Sequence, residues 1–393
     1  MASASTGNPA SKIGSVKAVP YAIPVSAPLL SRKVLLPFTL VSIELENGLT
    51  GHGICGGISY VPASAKYINE VIAPELKGEN PLASERIWQL LFSRFNGRGA
   101  TGFWSSVASA VDIAVWDLKG RILGQSVATL LGGAHSKVPA YITFGLTEYD
   151  REQLVEVATQ LISEGHTRLK MVVGGLKHII QGEKRTTFER RRFFPTDIRE
   201  DARRVRAVRE AIGPNIELMI DANCAFTVAE AQSLARLVED CDLTWFEEPV
   251  MVNDFRSLLQ LKNKTSIPLA TGQHLGHIWA HRELIANGAI DISQPNVCHG
   301  GGYSECAKVA ALARSYNLPI ANGGAWPHHN MHLHAGVPNG GYVEFHWPSW
   351  KTGEVAFRNA PTTKNGWVEV PKTPGLGFEP IAAAELAEFQ IKE

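Results

Sequence analysis

The chain lacks the features that would place it outside the cytosol or on nucleic acid. Its five cysteines, among 393 residues, are scattered and odd in number, which argues against a disulfide framework. The 38 basic and 38 acidic residues cancel, so no overall field attracts nucleic acid or a membrane. No apolar run reaches the roughly 18 residues of a membrane span, and residues 1–12 lack the apolar core of a signal peptide. We therefore expect a soluble, cytoplasmic protein.

A regular spacing of three polar residues is what the sequence does contain. Asp221 in LMIDAN, Glu247 in WFEEPV and Gln273 in LATGQH each follow a short apolar run, and both intervals are 26 residues (247 − 221 and 273 − 247). One strand plus one helix takes about that length, so the three side chains would project from consecutive barrel strands toward one point. Such a point suits a divalent metal, and oxygen ligands favour Mg²⁺.

Another apolar run contains two basic residues. Arg168 and Lys170 are two positions apart, so a strand presents both on one face. A lysine beside a guanidinium loses part of its preference for the charged form, which lowers its pKa. We therefore interpret Lys170 as a candidate base, with Arg168 beside it in the site.

The periodicity of the chain changes near residue 139. Before that point, strands are expected over 17–22 and 35–46, followed by helices over 61–95 and 103–123. After it, eight strand candidates alternate with helices, which indicates a closed α/β barrel rather than an open sheet. The eight candidates are YITFGL, RLKMVV, ELMIDA, TWFEEP, IPLATG, DISQPN, PIANGG and YVEFH.

In combination these motifs resemble the enolase superfamily, specifically its mandelate racemase branch, over nearly the whole chain. The matching segments are the Arg168 and Lys170 pair, DAN, FEEP, TGQH, PNVCHGGG and the helical VDIAVWDLKGRILGQSVATLLGG. The resemblance implies a TIM-like (β/α)7β barrel over residues 140–350. It also implies an α+β capping domain over residues 13–139, to which residues 351–393 return. A Mg²⁺-dependent enzyme that forms a homo-oligomer is the corresponding expectation.

Several positions depart from that family pattern. Gln273 stands where relatives usually carry glutamate, and the loss of one negative charge weakens the metal site. Gln273→Glu should therefore tighten Mg²⁺ binding. His274 is a second candidate for the third ligand. Asn296 and Asn322 replace the aspartate and histidine by which the family's racemases exchange protons. Neither asparagine can exchange a proton, which disfavours a two-base racemase.

A histidine cluster, WPHHNMHLH, follows the seventh strand candidate. His332 fits a helix interior, whereas His328 and His329 are expected in a loop, where at least one would reach the active site. His329 is our preferred catalytic acid because a dehydratase of the family has a matching histidine, and His328 is the alternative. His299 in NVCHGGG is assigned neither a structural nor a catalytic role.

The remaining candidates would bind substrate. Glu344 stands where family members place a carboxylate that hydrogen-bonds the enediolate oxygen. Asn223, His274, Asn296 and Asn322 imply a polar pocket for a small, polyhydroxylated carboxylate. Arg168 and His328 are two further candidates for contact with this substrate.

These roles predict an acid-sugar dehydratase that acts on an aldonate or aldarate. Lys170 would remove the proton next to the carboxylate, Mg²⁺ would stabilise the enediolate, and His329 or His328 would protonate the departing β-hydroxyl, giving a 2-keto-3-deoxy acid. Two alternatives stay open: an epimerase, racemase or cycloisomerase that uses the same enediolate, and a non-catalytic protein that binds a sugar acid. The basic stretch over 176–200 reads as a surface excursion, a subunit contact or a lid.

Overall fold

The amino-terminal part of the chain forms a small antiparallel sheet. This computed structural model describes residues 11–56, 61–94, 101–145, 149–174 and 197–392. Strand β4 lies between β1 and β5, and a separate hairpin joins β2 to β3. The strands are β1 (Ile13–Tyr21), β2 (Pro24–Ser26), β3 (Lys33–Leu35), β4 (Phe38–Leu45) and β5 (Thr50–Gly56).

Helices cover one face of this sheet. The helical segments are Val61–Tyr67, a π-helical turn Ile68–Ile72, Ala73–Leu76, Ser84–Arg94, Phe103–Leu123 and Val127–Leu130. The sequence predicted the bounds of Phe103–Leu123 correctly. The helix is buried on more than the one face that its predicted apolar stripe indicated. One side of this helix packs against β5 and another against Gly302–Ser315, so even Asp112 and Asp117 are buried.

The second half of the chain closes into a parallel barrel. Its strands are β6 (Lys137–Gly145), β7 (Arg168–Val172), β8 (Glu217–Asp221), β9 (Leu243–Glu247), β10 (Leu269–Thr271), β11 (Ile292–Ser293) and β12 (Val343–His346). Strands β6 to β11 pair in chain order, and β12 pairs back with β6. The seventh position has shrunk to Ile320, which bridges Ser293 and Gly340 and so completes the ring. The predicted TIM-like barrel with a capping domain is confirmed.

A helix follows every barrel strand. These helices are Arg151–Ser163, Ile198–Ile212, Val228–Leu237, Phe255–Lys262, Ile278–Ala286, Gly302–Ser315, Pro327–Gly336 and Trp347–Ala356. Several begin where the sequence supplies a capping residue: Asp150 and Thr227 each accept the backbone N–H three residues on, and the side chain of that residue bonds back. Short 3₁₀ turns occur at Glu239–Cys241, Met251–Asn253 and Ala387–Phe389.

Inward side chains fill the barrel in layers because side chains alternate along a strand. An apolar layer crosses the middle of the barrel and consists of Tyr141, Met219, Trp245, Ala270 and Ala321. Two residues further along their strands, Thr143, Asp221 and Glu247 form part of a polar layer nearer the carboxyl ends. That upper layer carries the candidate site.

The last part of the chain returns along the barrel to the amino-terminal part. Strand β15 (Trp367–Glu369) pairs with the start of β6 and with β14 (Thr363–Lys364), while β13 (Phe357–Arg358) pairs with β16 (Glu379–Pro380). A final helical turn spans Ala383–Leu386. The N–H of Leu376 donates to buried Asp117, and that of Ile391 donates to Pro20.

Some expectations about the chain's organisation stay open or fall outside this description. The division into 13–139, 140–350 and 351–393 stays a prediction. Residues 175–196, most of the basic insertion, lie outside the described residues. All five cysteines are free thiols. In the described part of the chain, no helix is long and apolar enough to cross a membrane.

Gly53 offers a test of how β5 packs on the long helix. A Cβ at this position would overlap the carbonyl oxygen of Ala110 and lie 2.7 Å from the backbone nitrogen of Ala114. Gly53→Ala should therefore lower the free energy of unfolding by about 1–3 kcal/mol, because a packed interface has to shift. Denaturant unfolding followed by circular dichroism measures this change.

Gly14→Ala is the matched control in the same sheet. A Cβ there meets no atom closer than 3.4 Å, so we expect little change in stability. Equal destabilisation by the two substitutions would contradict the close approach of β5 to the helix.

Candidate active site

A cavity of about 510 Å³ opens at the carboxyl ends of the barrel strands. Leu36 and Gly102 of the amino-terminal part contribute to its wall, and the rest comes from the barrel. The barrel residues are Thr143, Val172, Asp221, Asn223, Gln273, His274, His299, Gly324, Ala325, Trp326, Glu344 and His346. Trp326 also supports the amino-terminal part, because Gly56 approaches its indole so closely that a Cβ would overlap the ring.

Lys170 binds three carboxylates directly beneath this cavity. Its Nζ lies 2.5 Å from Oε1 of Glu247, 2.9 Å from Oε1 of Glu344 and 3.2 Å from Oδ2 of Asp221. The Lys170 side chain is 1 % exposed, and it is not among the residues that line the cavity. In the strand register Lys170 is opposite Met219 of β8 and Thr143 of β6, so its backbone lies between the two layers and its long side chain reaches up to the carboxylates.

This environment contradicts the expectation that Lys170 has a lowered pKa and acts as the base. Burial alone lowers the pKa of the ammonium, but the charges of Glu247, Glu344 and Asp221 outweigh burial and hold the pKa well above its ordinary value. Val172 is the β7 residue level with Asp221, and it presents only an apolar side chain to the cavity.

Arg168 is also not where the sequence placed it. Its Nε donates to Oε1 of Glu217 at 2.9 Å, and its Nη1 donates to the carbonyl of Gly366 at 2.8 Å. These partners lie at the amino-terminal ends of the strands, below the apolar layer. Alternation along the strand correctly placed Arg168 and Lys170 on one face. Arg168 is level with Glu217, however, so the apolar layer lies between its guanidinium and the cavity. The expected contact between Arg168 and substrate is therefore wrong.

Glu247 is held so that one carboxylate oxygen faces the centre of the site. Its Oε2 accepts hydrogen bonds from Nε1 of Trp245 at 3.0 Å and from Nε2 of Gln294 at 2.9 Å. Its Oε1 faces Lys170. Asp221 contributes Oδ2 to the same ammonium, while its Oδ1 accepts the backbone N–H of Asn223.

Gln273 adds a third oxygen to this group. Its Nε2 donates to Glu248 at 2.6 Å, and its Oε1 is buried without a hydrogen-bond partner. A Cβ on Gly323 would lie 2.7 Å from that Oε1 and 3.1 Å from Oε1 of Glu247, so both oxygens face the same small space.

The residues therefore fit a hard divalent cation. Within the described residues no three histidine, cysteine, aspartate or glutamate side chains form a metal-binding group by themselves. The candidate set needs the amide oxygen of Gln273, and an unsatisfied buried oxygen is the kind of atom that a cation completes. Asp221, Glu247 and Gln273 stay our proposed ligands.

Glu344 lines the cavity and is tightly fixed. Thr143 Oγ1 donates to its Oε1, and the backbone N–H of Ala325 donates to its Oε2, each at 2.6 Å. Lys170 Nζ is the third group that binds this carboxylate. The position agrees with the expectation of a substrate-binding carboxylate, which stays a proposal.

Asn296 and Asn322 support the site from behind rather than from within. Both are fully buried and outside the cavity lining. Their amide nitrogens donate to the carbonyl of Gly323, and Oδ1 of Asn322 accepts the N–H of Glu344. They fix the loop after the seventh barrel position, so the expected contact of these two residues with substrate is wrong.

His328 and His329 are likewise displaced from the site. Pro327 begins a helix, so both residues lie in its first turn instead of in a loop, and both are 1 % exposed. His328 packs against Phe345 and Phe378, and His329 against Phe357 and Phe378. Neither lines the cavity, which contradicts the roles expected for His329 as acid and His328 as substrate ligand. His332 lies inside the helix, as predicted.

The histidines that do line the cavity are His274, His299 and His346. The rings of His274 and His299 are 4.7 Å apart, and Nδ1 of His299 is buried without a partner. Burial holds the pKa of His299 well below its ordinary value, and the neighbouring His274 lowers it further. His346 is not among the residues predicted from the sequence, although it lies two residues beyond Glu344 and hence on the same face of β12.

Replacing the central ammonium tests whether it holds the carboxylates together. Lys170→Met keeps the length of the side chain but leaves three buried carboxylates without their cation. Without divalent metal, the free energy of unfolding should fall by about 3–5 kcal/mol. Mg²⁺ should restore part of that loss, because the cation neutralises the same oxygens.

Thermal melting with EDTA and with Mg²⁺ measures both effects. Arg168→Met is the control at the other end of the barrel, where Mg²⁺ should restore nothing. A Lys170→Met protein as stable as the unaltered chain in EDTA would rule out this role.

Comparisons with known proteins agree with this arrangement. Residues 16–132 match the mandelate racemase/muconate lactonizing enzyme N-terminal domain, and residues 153–384 match the enolase C-terminal domain-like family. D-galactarolactone cycloisomerase of Agrobacterium fabrum is 30 % identical over 375 residues, 90 % of this chain and 91 % of that protein. L-talarate/galactarate dehydratase of Salmonella typhimurium is 30 % identical over 371 residues, 91 % of this chain and 86 % of that protein.

A solved structure shows the same fold. The crystal structure of a racemase from Streptomyces coelicolor with bound magnesium has a TM-score of 0.84 and 28 % identity, and the match covers 96 % of this chain and all of that one. The relatives are enzymes, dehydratases and cycloisomerases among them. The chain therefore belongs to the enolase superfamily, in its mandelate racemase subgroup.

Proposed function

We propose that the chain is an acid-sugar dehydratase that acts on an aldonate or aldarate through a metal-stabilised enediolate. The observation that carries the proposal is the convergence of Asp221, Glu247 and Gln273 oxygens beneath a cavity that Glu344 also lines. Relatives named for acid sugars support the substrate class. Cycloisomerisation of a sugar acid through the same enediolate is the second candidate, because a relative of equal identity is a cycloisomerase.

The cavity suits a small polar substrate with one less polar side. Thr143, Asn223 and Glu344 offer groups that hydrogen-bond hydroxyls, while Leu36 and Trp326 form an apolar wall. A polyol chain has both kinds of surface, since its carbon-bound hydrogens are apolar. The carboxylate of the substrate would lie toward Asp221 and Gln273, at the foot of the cavity.

Mg²⁺, held by Asp221, Glu247 and Gln273, would act as a Lewis acid on the substrate carboxylate and favour loss of the neighbouring proton. Glu344 would accept a hydrogen bond from a protonated oxygen of the substrate's carboxyl group or of the enediol formed from it. Its two oxygens are already fixed by Thr143 and Ala325, so little reorganisation is required.

The proton next to the carboxylate needs an acceptor that reaches the cavity, and we assign that role to His299. Lys170 is covered and Val172 is apolar, so β7 offers no base. His299 lines the cavity, and its lowered pKa keeps the imidazole neutral, so that a nitrogen lone pair is available for the proton. His274 packs against the ring and restricts its orientation.

A single imidazole accounts for the whole elimination. His299 takes the proton as the C–H bond breaks, and the electron pair is delocalised into the substrate carboxylate as the enediolate. The imidazolium then gives that proton to the β-hydroxyl, and the electron pair forms the carbon–carbon double bond of the enol as the C–O bond breaks and water leaves. Tautomerisation gives the 2-keto-3-deoxy acid. The proposal therefore predicts elimination of hydrogen and hydroxyl from one face.

A substrate screen is the direct test of this function. A stereochemically complete set of aldonates and aldarates, incubated with Mg²⁺ in D₂O, should yield a keto acid from one or a few members. Proton NMR and a semicarbazide assay detect it. Ring opening or closure without loss of water would identify a cycloisomerase, and deuterium incorporation alone an epimerase. Binding without any exchange would leave a sugar-acid-binding protein.

Substituting His299 tests the assignment of the base. His299→Asn should lower kcat by about 10²–10⁴-fold with a smaller change in KM, because the proton acceptor is lost while the cavity keeps its shape. His329→Asn is the matched control and should change kcat by less than about tenfold, since His329 lies outside the cavity. A larger loss of kcat for His329→Asn than for His299→Asn would assign the proton transfer to His329 instead of His299.

A further inference from the structure

We infer that Glu248, the second glutamate of FEEP, is a positioning residue that fixes which end of the Gln273 amide faces the proposed metal site. The inference rests on the proposed function, since it takes Asp221, Glu247 and Gln273 as the ligands. It concerns how a neutral amide serves where relatives usually carry a carboxylate.

Glu248 is bound by two amide nitrogens. Nε2 of Gln273 donates to its Oε2 at 2.6 Å, and Nδ2 of Asn253 donates to its Oε1 at 2.8 Å. An ionised carboxylate only accepts hydrogen bonds, so it is satisfied by the NH₂ end of Gln273 and not by the oxygen end. Turning the amide over would bring two oxygens within 2.6 Å of each other.

The orientation of Gln273 has a direct consequence for the cavity. With Nε2 committed to Glu248, Oε1 is directed to the opposite side, where it is buried without a partner. This oxygen shares its space with Oε1 of Glu247 next to Gly323, which lacks the side chain that would fill it. Glu248 therefore fixes the Gln273 amide so that its oxygen, and not its nitrogen, faces the proposed metal site.

The backbone around Glu248 is built to hold this arrangement. Glu248, Val252 and Asn253 all have positive φ angles, of 41°, 51° and 52°, a conformation that is costly for a β-branched valine. Backbone bonds from Glu248 to Ala270 and from Cys224 to Glu248 anchor the turn on both sides. Asn253 thus reaches the carboxylate from a strained turn.

The same geometry reverses one expectation from the sequence. Gln273→Glu alone would place a carboxylate 2.6 Å from that of Glu248, in a site where Glu248 is 5 % exposed. The two groups would repel or share a proton, so the added charge would not serve the metal. Exchanging the residue types at 248 and 273 restores the hydrogen bond, because the amide at 248 then donates to the carboxylate at 273. That carboxylate takes the place of the proposed amide ligand.

Mn²⁺ titration by calorimetry of four variants tests the inference without an activity assay. Glu248→Gln should weaken Mn²⁺ binding by about tenfold, since an amide at 248 accepts either end of Gln273. Gln273→Glu should bind no more tightly than the unaltered chain. The exchanged double variant, E248Q with Q273E, should bind at least about tenfold more tightly than Q273E alone. Glu305→Gln is the control, a buried glutamate outside the cavity, and should change nothing.

The outcomes separate this inference from the proposed function. If the unaltered chain binds Mn²⁺ but Q273E binds as tightly as the double variant, Glu248 does not set the orientation, and the metal-dependent function stands. If the unaltered chain binds no Mn²⁺, both fall. Thermal melting confirms that each variant folds. Should E248Q fail to fold, Glu248→Asp keeps the charge but shortens the side chain and so breaks its hydrogen bond with Gln273, and unchanged Mn²⁺ affinity there would overturn the inference.

Discussion

The ammonium of Lys170 among three buried carboxylates is the interaction on which the upper half of the barrel depends. Asp221, Glu247 and Glu344 come from three different strands and would repel one another in a low-dielectric interior. Lys170 reaches up from between the two layers, with its ammonium over the ring of Tyr141, and supplies the opposite charge without lining the cavity. The other contacts of the site serve to aim oxygens at this point.

The polar residues around the centre divide into those that face the cavity and those that hold its frame. Trp245 and Gln294 restrain Oε2 of Glu247, and Thr143 restrains Oε1 of Glu344, so each carboxylate keeps a defined orientation. Asn296 and Asn322 are fully engaged with the loop after the seventh barrel position, which is why they are buried rather than reactive. The two amides act as supports of this loop.

Periodicity predicted the barrel and the direction of inward side chains, but it could not give their depth. The 26-residue spacing and the ends of apolar runs were enough to bring Asp221, Gln273 and Glu344 to one cavity. Nothing in the local sequence says that Val172, and not Lys170, is level with Asp221, because the register between neighbouring strands decides it. Arg168 was misplaced for the same reason.

The histidines show a different limit of sequence reasoning. Pro327 before His328 was an available helix-start signal, since proline is favoured in the first turn, and it would have moved His328 and His329 out of the loop. His346 was available from simple alternation beyond Glu344. His299, by contrast, reaches the cavity through a turn whose path depends on contacts with Asn296 and Gly324, and these are long-range or irregular.

The cavity wall is shared unequally between the two parts of the chain. Leu36 and Gly102 come from the amino-terminal part, whereas every proposed ligand and proton carrier comes from the barrel. Substitutions at Leu36 or Gly102 would therefore reshape one side of the cavity and leave every proposed ligand and the proposed proton carrier unchanged. Substitutions at the other lining residues would alter the barrel itself.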